Sequence, residues 1–123
     1  MKILLVDDDA FLRDMYAKKF SDAGHTIDVA ETGMMALQKF RQGEQYDVVL
    51  LDMVMPGIGG IDLMKEVFDL AGDHAPKCIV LSNQGQMEDI KAASAAGAAG
   101  YIIKAETIPS EVVHEVTTII EKT

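Results

Sequence analysis

Short apolar segments alternate with longer amphipathic segments along the chain. Four apolar runs and one mixed run are too short for core helices and predict strands at residues 3–6, 26–30, 48–51, 79–81 and 101–103. Between these runs, apolar residues mostly recur every three or four positions, and this spacing predicts helices at residues 12–23, 34–40, 61–71, 86–96 and 112–120. The chain therefore consists of about five strand-then-helix units, the fourth helix being rich in alanine.

Strict alternation of strands and helices predicts the fold class. Such an order calls for a parallel sheet covered by helices on both faces, which is a doubly wound α/β architecture with five strands. Glycines such as Gly24, Gly43 and Gly97 fall between the predicted elements, where the chain must reverse. No linker or low-complexity tract interrupts the pattern, so we expect one domain over residues 1–123.

Composition and charge narrow the classes of partner. Apolar residues make up 49% of the chain and charged residues 25%, an ordinary globular mixture. The formal net charge of −9 would repel nucleic-acid phosphates, so we expect protein partners and no direct nucleic-acid binding. A single cysteine, Cys78, excludes an intrachain disulfide and, within an apolar run, predicts a buried inert thiol in a reducing compartment.

The N-terminal sequence gives no export signal. Its short apolar run becomes acidic at Asp7, whereas a signal peptide would need a longer apolar region and a cleavage site. No apolar stretch approaches the roughly 20 residues of a membrane-spanning helix. We therefore expect a cytoplasmic protein that does not bind membranes.

Polar side chains follow four of the predicted strands. The first strand is followed by the acidic run 7–9, the third by Asp52, the fourth by Ser82 and Asn83, and the fifth by Lys104. In a doubly wound sheet the carboxyl ends of the strands share one edge, and ligands bind there where the strand order reverses. The sequence therefore predicts an acidic site that also contains a hydroxyl and an ammonium group.

This concentration of carboxylates predicts a bound cation. Asp9 precedes a helix and is best interpreted as its N-cap, but Asp7 and Asp8 beside Asp52 would repel one another without a counter-ion. Oxygen ligands and high negative charge favour Mg²⁺ or Mn²⁺ over zinc. A cation, a hydroxyl and an ammonium can together stabilise a phosphoryl group, and an aspartate can accept one.

Four segments that contain these residues, at 3–9, 47–57, 79–82 and 97–104, give the chain a resemblance to a known family. The sequence resembles the receiver domains of bacterial two-component response regulators, in particular the single-domain chemotaxis regulators, from Lys2 to the last predicted helix. The resemblance implies the flavodoxin-like (βα)5 receiver fold. It also implies a signalling switch that catalyses only its own phosphorylation and dephosphorylation, and no other enzyme activity.

The resemblance assigns a role to each polar residue at the strand ends. Asp52 is the implied phosphoacceptor, Lys104 the lysine that contacts the phosphoryl group, and Ser82 the switch hydroxyl. Tyr101 matches the switch aromatic, although an ordinary strand aromatic explains this tyrosine equally well. The implied metal ligands are Asp7, Asp8, Asp52 and the backbone carbonyl of Val54, with Asp8 as the direct acidic ligand.

The same resemblance implies a mechanism and partners. A sensor histidine kinase or phosphotransfer protein, or a small phosphodonor, would donate a phosphoryl group to Asp52 in a Mg²⁺-dependent step, and slow hydrolysis would follow. Phosphorylation would change the face formed by the fourth helix, fifth strand and fifth helix, which would control a target protein. We expect a monomer or a phosphorylation-dependent dimer, either as a stand-alone regulator or as part of a longer one.

Three positions depart from the family pattern. Ala105 stands where the lysine is usually followed by a proline in a cis bond. Because a cis bond before a non-proline residue costs about 2.5–4 kcal/mol, we expect a trans bond or a rebuilt loop here. Gly59 replaces a frequent acidic residue and should loosen the loop after Asp52. Asn83 and Gln84 are polar where the first position is commonly small, so we expect an altered lifetime of the phosphoryl group.

Other functional classes are open from the sequence. A flavodoxin-like cofactor binder would need a first loop of Ser, Thr and Gly that the run 7–9 does not supply. A phosphohydrolase with an aspartyl intermediate would need a general acid near Asp52, where Met53 and Val54 follow. A receiver-like interaction module without phosphoacceptor activity is the third alternative, and only an assay separates it from an active receiver.

The remaining candidate residues have simpler interpretations. The three histidines, His25, His74 and His114, lack metal-ligand spacing and are expected at the surface or in packing. Most of the methionines are expected to fill the core, with Met87 as a candidate partner contact. This core assignment covers Met34, Met35, Met53, Met55 and Met64.

Overall fold

The five predicted strands are present in the computed structural model, which describes residues 1–83 and 85–123. They are β1 (Lys2–Val6), β2 (Thr26–Ala30), β3 (Val48–Leu51), β4 (Lys77–Ser82) and β5 (Gly100–Ile103). All neighbouring strands pair in parallel, in the order β2-β1-β3-β4-β5. The chain thus moves outward from β1 in both directions, and the strand order reverses between β1 and β3.

The five predicted helices are also present, with bounds that differ from the expected ones by at most three residues. They are α1 (Ala10–Asp22), α2 (Gly33–Arg41), α3 (Gly60–Ala71), α4 (Met87–Ala95) and α5 (Pro109–Lys122). Two short 3-10 helices, Gly72–His74 and Lys104–Glu106, complete the described elements. The doubly wound parallel architecture predicted from the alternation is confirmed.

Alternate side chains of the central strands face two separate cores. Ile3 and Leu5 of β1 pack with Phe20 of α1 and with α5, whereas Leu4 and Val6 pack on the other face with α2 and α3. All four of these β1 side chains are fully buried. Burial on both faces is why the strands are continuous apolar runs and not alternating ones.

Local signals in the sequence set the helix ends. The Asp9 carboxylate accepts a hydrogen bond from the Leu12 N–H, so its predicted role as the N-cap of α1 is confirmed. Thr32 caps α2 in the same way by accepting from the Met35 N–H. Pro109 occupies the first turn of α5, where its missing N–H has no consequence.

The core assignment of the methionines is correct for only some of them. Met55 and Met64 are buried, but Met34 and Met35 are 58% and 45% exposed, so their predicted core role is wrong. Both lie in the first turn of α2, whose buried residues are Gly33, Ala36 and Leu37 and not the methionines. Met87 is 62% exposed at the start of α4, whose one buried residue is Ala93.

The structure also tests the remaining sequence expectations. Cys78 is buried in β4, and burial raises the pKa of its thiol to about 12, as expected for an inert thiol. The bond between Lys104 and Ala105 is trans. None of the described helices combines the length and hydrophobicity that a transmembrane segment requires. The prediction for Asn83 and Gln84 depends partly on residue 84, which lies outside the described residues.

Candidate functional site

The polar residues predicted from the strand ends lie together at one edge of the sheet. Asp7 follows β1, Asp52 follows β3, Ser82 ends β4, and Lys104 begins the 3-10 helix after β5. Because the strands are parallel and adjacent, residues up to 97 positions apart in the chain come within hydrogen-bonding distance here. This edge lies beyond β1 and β3, where the strand order reverses, as the rule for doubly wound sheets predicts.

The Asp52 carboxylate is the centre of this group. Its Oδ1 accepts a hydrogen bond from Ser82 Oγ at 2.9 Å and one from the Val54 N–H at 3.3 Å. Its Oδ2 accepts from Lys104 Nζ at 3.0 Å. The Asp52 side chain remains 13% exposed, so a small or flexible donor can reach it from solvent.

Lys104 and Asp7 form the most buried ion pair of the site. The Nζ–Oδ2 distance is 2.7 Å, and the two side chains are 4% and 2% exposed. Burial alone lowers the pKa of the Lys104 ammonium, but its hydrogen bond to Asp7 and the charges of Asp52 and Asp7 outweigh burial and raise that pKa above its ordinary value. The site therefore holds a permanent positive charge next to Asp52.

Three carboxylates meet closely enough to share one cation. One oxygen each from Asp7, Asp8 and Asp52 lies within 4.8 Å of the others, and among the described residues no second group of this kind occurs. Three carboxylates and the Lys104 ammonium leave two negative charges, which a divalent ion would balance. An all-oxygen donor set, partly open to water at the exposed Asp8, fits Mg²⁺ or Mn²⁺.

The three acids are not equivalent. Both oxygens of Asp7 already accept hydrogen bonds, Oδ1 from the Asp9 N–H at 3.0 Å and Oδ2 from Lys104. Asp8 is exposed and Asp52 is half-buried. The geometry is therefore compatible with Asp8 and Asp52 as the acids that contact a metal ion directly and with Asp7 as an indirect partner. The three histidines lie outside this group.

Ser82 connects Asp52 to Tyr101. The serine is 1% exposed, its Oγ donates to Asp52 Oδ1 at 2.9 Å, and it lies close enough to the Tyr101 hydroxyl to shift the pKa of that phenol. Tyr101 is half-buried and packs against the core between the sheet and α2–α4. Burial raises the pKa of its phenol, the hydrogen bond with Ser82 opposes this shift, and the charges of Asp89 and Asp52 add to it. The two predicted switch residues are thus in contact.

Gly60 supports the acceptor loop in a way that the sequence did not reveal. A Cβ atom at this position would lie 2.4 Å from the Asp52 carbonyl oxygen and 2.9 Å from Met53 Cα. The Gly60 N–H donates to the Met53 carbonyl at 3.0 Å, so the start of α3 is bonded directly to the loop after Asp52. Gly59 has room for a Cβ, with its nearest neighbour at 3.4 Å.

Arg13 is a further residue at this edge that sequence reasoning missed. Its Nη1 donates to the backbone carbonyl of Asp7 at 3.0 Å, and its Nη2 lies 3.5 Å from Glu31 Oε1. Within the sequence, Arg13 is one charged residue in the first half of an amphipathic helix. No local pattern distinguishes it from a solvent-facing arginine.

Comparisons with known proteins agree with this geometry. The sequence profile of the response regulator receiver domain matches residues 3–116. The chain is 37% identical to the chemotaxis protein CheY of Halobacterium salinarum over 111 residues, covering 89% of this chain and 88% of that protein. It is 36% identical to the chemotaxis protein CheY of Thermotoga maritima over 104 residues, covering 84% of each.

A solved structure shows the same fold. The chemotaxis protein CheY4 of Vibrio cholerae superposes with a TM-score of 0.87 at 27% identity, over 96% of this chain and 97% of that one. The profile match spans nearly the whole chain, and it includes every strand that positions the acidic edge. This protein therefore belongs to the family of response regulator receiver domains.

Proposed function

We propose that this chain is a phosphoacceptor switch in which Asp52 receives a phosphoryl group from the phosphohistidine of a histidine kinase or phosphotransfer protein. One observation carries the proposal. The Asp52 carboxylate lies within 3.0 Å of both a serine hydroxyl and a buried lysine ammonium, beside two further carboxylates. Each group that a phosphoryl transfer requires is therefore placed around one solvent-accessible carboxylate.

The chemical step is a substitution at phosphorus. A carboxylate oxygen of Asp52 forms the new P–O bond while the P–N bond of the donor phosphohistidine breaks, and the imidazole leaves with the electron pair. With acetyl phosphate as donor, a P–O bond breaks and acetate leaves. Hydrolysis of the resulting acyl phosphate by water returns the carboxylate and releases inorganic phosphate.

Lys104 and Ser82 stabilise the transferred group. Both side chains already donate to the oxygens of Asp52. A phosphoryl group on Asp52 would offer its own oxygens to the same two donors, which are fixed in place before the reaction and need little reorganisation. The ion pair with Asp7 also holds the Lys104 ammonium next to Asp52.

The acidic residues would hold the metal ion. Asp8, Asp52 and the backbone carbonyl of Val54 are the proposed direct ligands, and Asp7 orients the site through Lys104 and the Asp9 N–H. When bound, Mg²⁺ or Mn²⁺ supplies positive charge to the phosphoryl oxygens in the transition state. Without a cation, the carboxylates would repel a phosphodonor that carries negative charge itself.

The conformational change caused by phosphorylation would be transmitted from Asp52 through Ser82 to Tyr101. Ser82 bonds to Asp52 and also shifts the pKa of the nearby Tyr101 phenol, so a phosphoryl group that changes the position of the Ser82 hydroxyl also changes the environment of Tyr101. Tyr101 lines a surface groove between β5 and α5 together with Ile102, Thr118 and Ile119. A target protein that binds the α4–β5–α5 face would sense this change.

The range of the domain, its partners and its location in the cell complete the proposed function. Residues 1–123 form one receiver domain, a reading that the profile match over residues 3–116 supports. The net charge of −9 favours protein partners over nucleic acid. The cytoplasmic location, the absence of membrane binding, and a monomeric or phosphorylation-dependent dimeric state stay predictions.

Intact-mass spectrometry after incubation with acetyl phosphate tests the proposal directly. The wild-type chain should gain the mass of one phosphoryl group in the presence of Mg²⁺ and lose it slowly after the donor is removed. Asp52→Asn, and wild type with excess EDTA, should gain none. Ser82→Ala, which keeps the acceptor, should still be modified at a lower rate.

The same experiment separates the proposal from its main alternative. A receiver-like interaction module without phosphoacceptor activity would show no adduct with wild type under any of these conditions. An adduct that persists in Asp52→Asn would place the acceptor at another residue. Either result would contradict the role assigned to Asp52.

A further inference from the structure

We infer that Arg13 is a positioning residue for metal binding, because its guanidinium holds the peptide group between Asp7 and Asp8 in the orientation that directs Asp8 toward Asp52. This inference rests on the proposed function, since it concerns the same acidic site. It adds a residue from the first helix to a site that otherwise consists of residues at the strand ends.

The position of the Arg13 side chain supports this role. The side chain is only 11% exposed although it carries a charge, and it reaches back over the first turn of α1 to donate to the Asp7 carbonyl at 3.0 Å. Its second contact is weaker. Glu31 lies 3.5 Å away and is 61% exposed, so solvent screens that ion pair. The carbonyl of Asp7 is thus the main fixed partner of the guanidinium.

The remaining contacts of Asp7 show what Arg13 adds. The Asp7 N–H donates to the Ala30 carbonyl, and both carboxylate oxygens accept hydrogen bonds from Asp9 and Lys104. These bonds fix the backbone N–H and the side chain of Asp7, and the Asp9 bond closes a turn across the peptide between Asp7 and Asp8. The bond from Arg13 adds a direct contact with the carbonyl oxygen of that peptide. Because a peptide group is planar, a hydrogen bond to its carbonyl oxygen also fixes the direction in which Asp8 leaves it.

Asp8 is the acid that depends most on this constraint. It is exposed, whereas Asp7 and Asp52 are held by buried partners. Rotation of the peptide plane between Asp7 and Asp8 would move the Asp8 carboxylate away from the shared cluster without disturbing the Asp7–Lys104 pair. A residue that prevents this rotation would therefore act on metal affinity more than on folding.

The sign of the effect separates positioning from simple electrostatics. A positive charge near a cation site repels the cation, so removing the Arg13 charge would by Coulomb interaction alone strengthen metal binding. Loss of positioning would weaken it. The two explanations therefore predict opposite changes in the dissociation constant.

Binding of Mn²⁺, followed by the loss of its free-ion electron paramagnetic resonance signal, tests the inference without phosphorylation. For Arg13→Met we expect a dissociation constant roughly 10-fold higher than that of wild type, the size typical of partners that orient metal ligands. Arg13→Lys keeps the charge but not the planar fork, and should recover only part of the affinity. Glu31→Gln is the matched control and should stay within about 2-fold of wild type.

Thermal unfolding without metal accompanies each titration. If Arg13→Met is unfolded at the assay temperature, the comparison between Arg13→Lys and wild type carries the test. Unchanged or tighter Mn²⁺ binding by folded Arg13→Met would overturn the inference, as would wild-type affinity in Arg13→Lys. If wild type itself binds no Mn²⁺, the proposed metal site fails, and this outcome is distinct from a failure of Arg13 alone.

Discussion

Lys104 and Lys2 lie at opposite ends of the sheet, and both pair with carboxylates. Lys104 contacts Asp7 and Asp52 at 2.7 and 3.0 Å with its side chain 4% exposed. Lys2 contacts Glu44 at 2.6 Å with its side chain 39% exposed, and its ammonium lies 5.0 Å from the centre of the Tyr46 ring. By distance alone, the Lys2 pair would be the stronger one.

Burial reverses that ranking. Water and salt screen the exposed Lys2–Glu44 pair, whereas water has little access to the Lys104–Asp7 pair. Removing one member of a buried group leaves an uncompensated charge, which is strongly unfavourable. The carboxyl-end edge thus keeps the Lys104 and Asp7 charges out of water, where they act strongly on a reacting group. The amino-end edge contains ordinary surface ion pairs.

Replacing Lys104 should produce the largest effect. Lys104→Met leaves Asp7 and Asp52 as neighbouring carboxylates without their ammonium partner, so we expect the free energy of unfolding to fall by about 3–5 kcal/mol. Urea titration at pH 7 without Mg²⁺ measures this change. The double variant Lys104→Met, Asp7→Asn removes one of the two charges and should recover part of the loss. If Lys104→Met lowered the free energy of unfolding as little as Lys2→Met does, burial would not explain the difference between the two lysine pairs.

Crowding the acceptor loop should have the next largest effect. Gly60→Ala places a Cβ against the backbone of Asp52 and Met53, and overpacking of this kind costs about 1–3 kcal/mol. We also expect slower phosphorylation by acetyl phosphate, because the loop that carries Asp52 must shift. Gly59→Ala is the matched control, with ordinary backbone angles and space for the methyl group. Equal effects of the two substitutions would contradict this explanation.

Stabilisation of the protein by metal should depend on the acids at only one end of the sheet. At a Mg²⁺ concentration ten times its dissociation constant, linkage predicts a gain of about 1.4 kcal/mol in the free energy of unfolding. Asp8→Asn should lose most of this gain, because it removes one of the three clustered carboxylates. Glu44→Gln, an acid at the opposite end, should retain the full gain in the same urea titrations with and without Mg²⁺. A gain that Asp8→Asn retains would place the metal elsewhere.

Replacing Lys2 should have the smallest effect. Lys2→Met removes an exposed ion pair and a cation–π contact, so the change in unfolding free energy should fall within the error of a urea titration. Any difference from wild type should shrink further at high salt, because exposed charges are screened. A large decrease in the free energy of unfolding that persists at high salt would show that side-chain exposure does not predict the strength of these ion pairs.

The fold was largely predictable because its signals are local or periodic. The strand at residues 48–51 was predicted at its observed bounds, since a run of four buried apolar residues has few other interpretations. Asp9 was predicted as the N-cap of the first helix from capping preferences. Met34 and Met35 were misassigned to the core, because the hydrophobicity of a side chain does not reveal whether a neighbouring element covers it.

The candidate site was predictable in its membership but not in its internal contacts. Parallel pairing brings the strand ends to one edge, so the convergence of Asp7, Asp52, Ser82 and Lys104 followed from the order of elements. The sequence did not predict that Lys104 bonds to both Asp7 and Asp52, or that Ser82 bonds to Asp52. Those bonds depend on side-chain directions that the sheet and its loops set together.

The sequence by itself determined the order of strands and helices, the chemistry of the residues at the strand ends and the family resemblance. These features are encoded in hydrophobic periodicity and in short motifs, which neighbouring residues establish. Only the tertiary structure revealed the contacts of Arg13 and Gly60, because each contacts a backbone group that follows a strand. Such contacts depend on how each helix packs beside the end of a strand, which residue type alone does not specify.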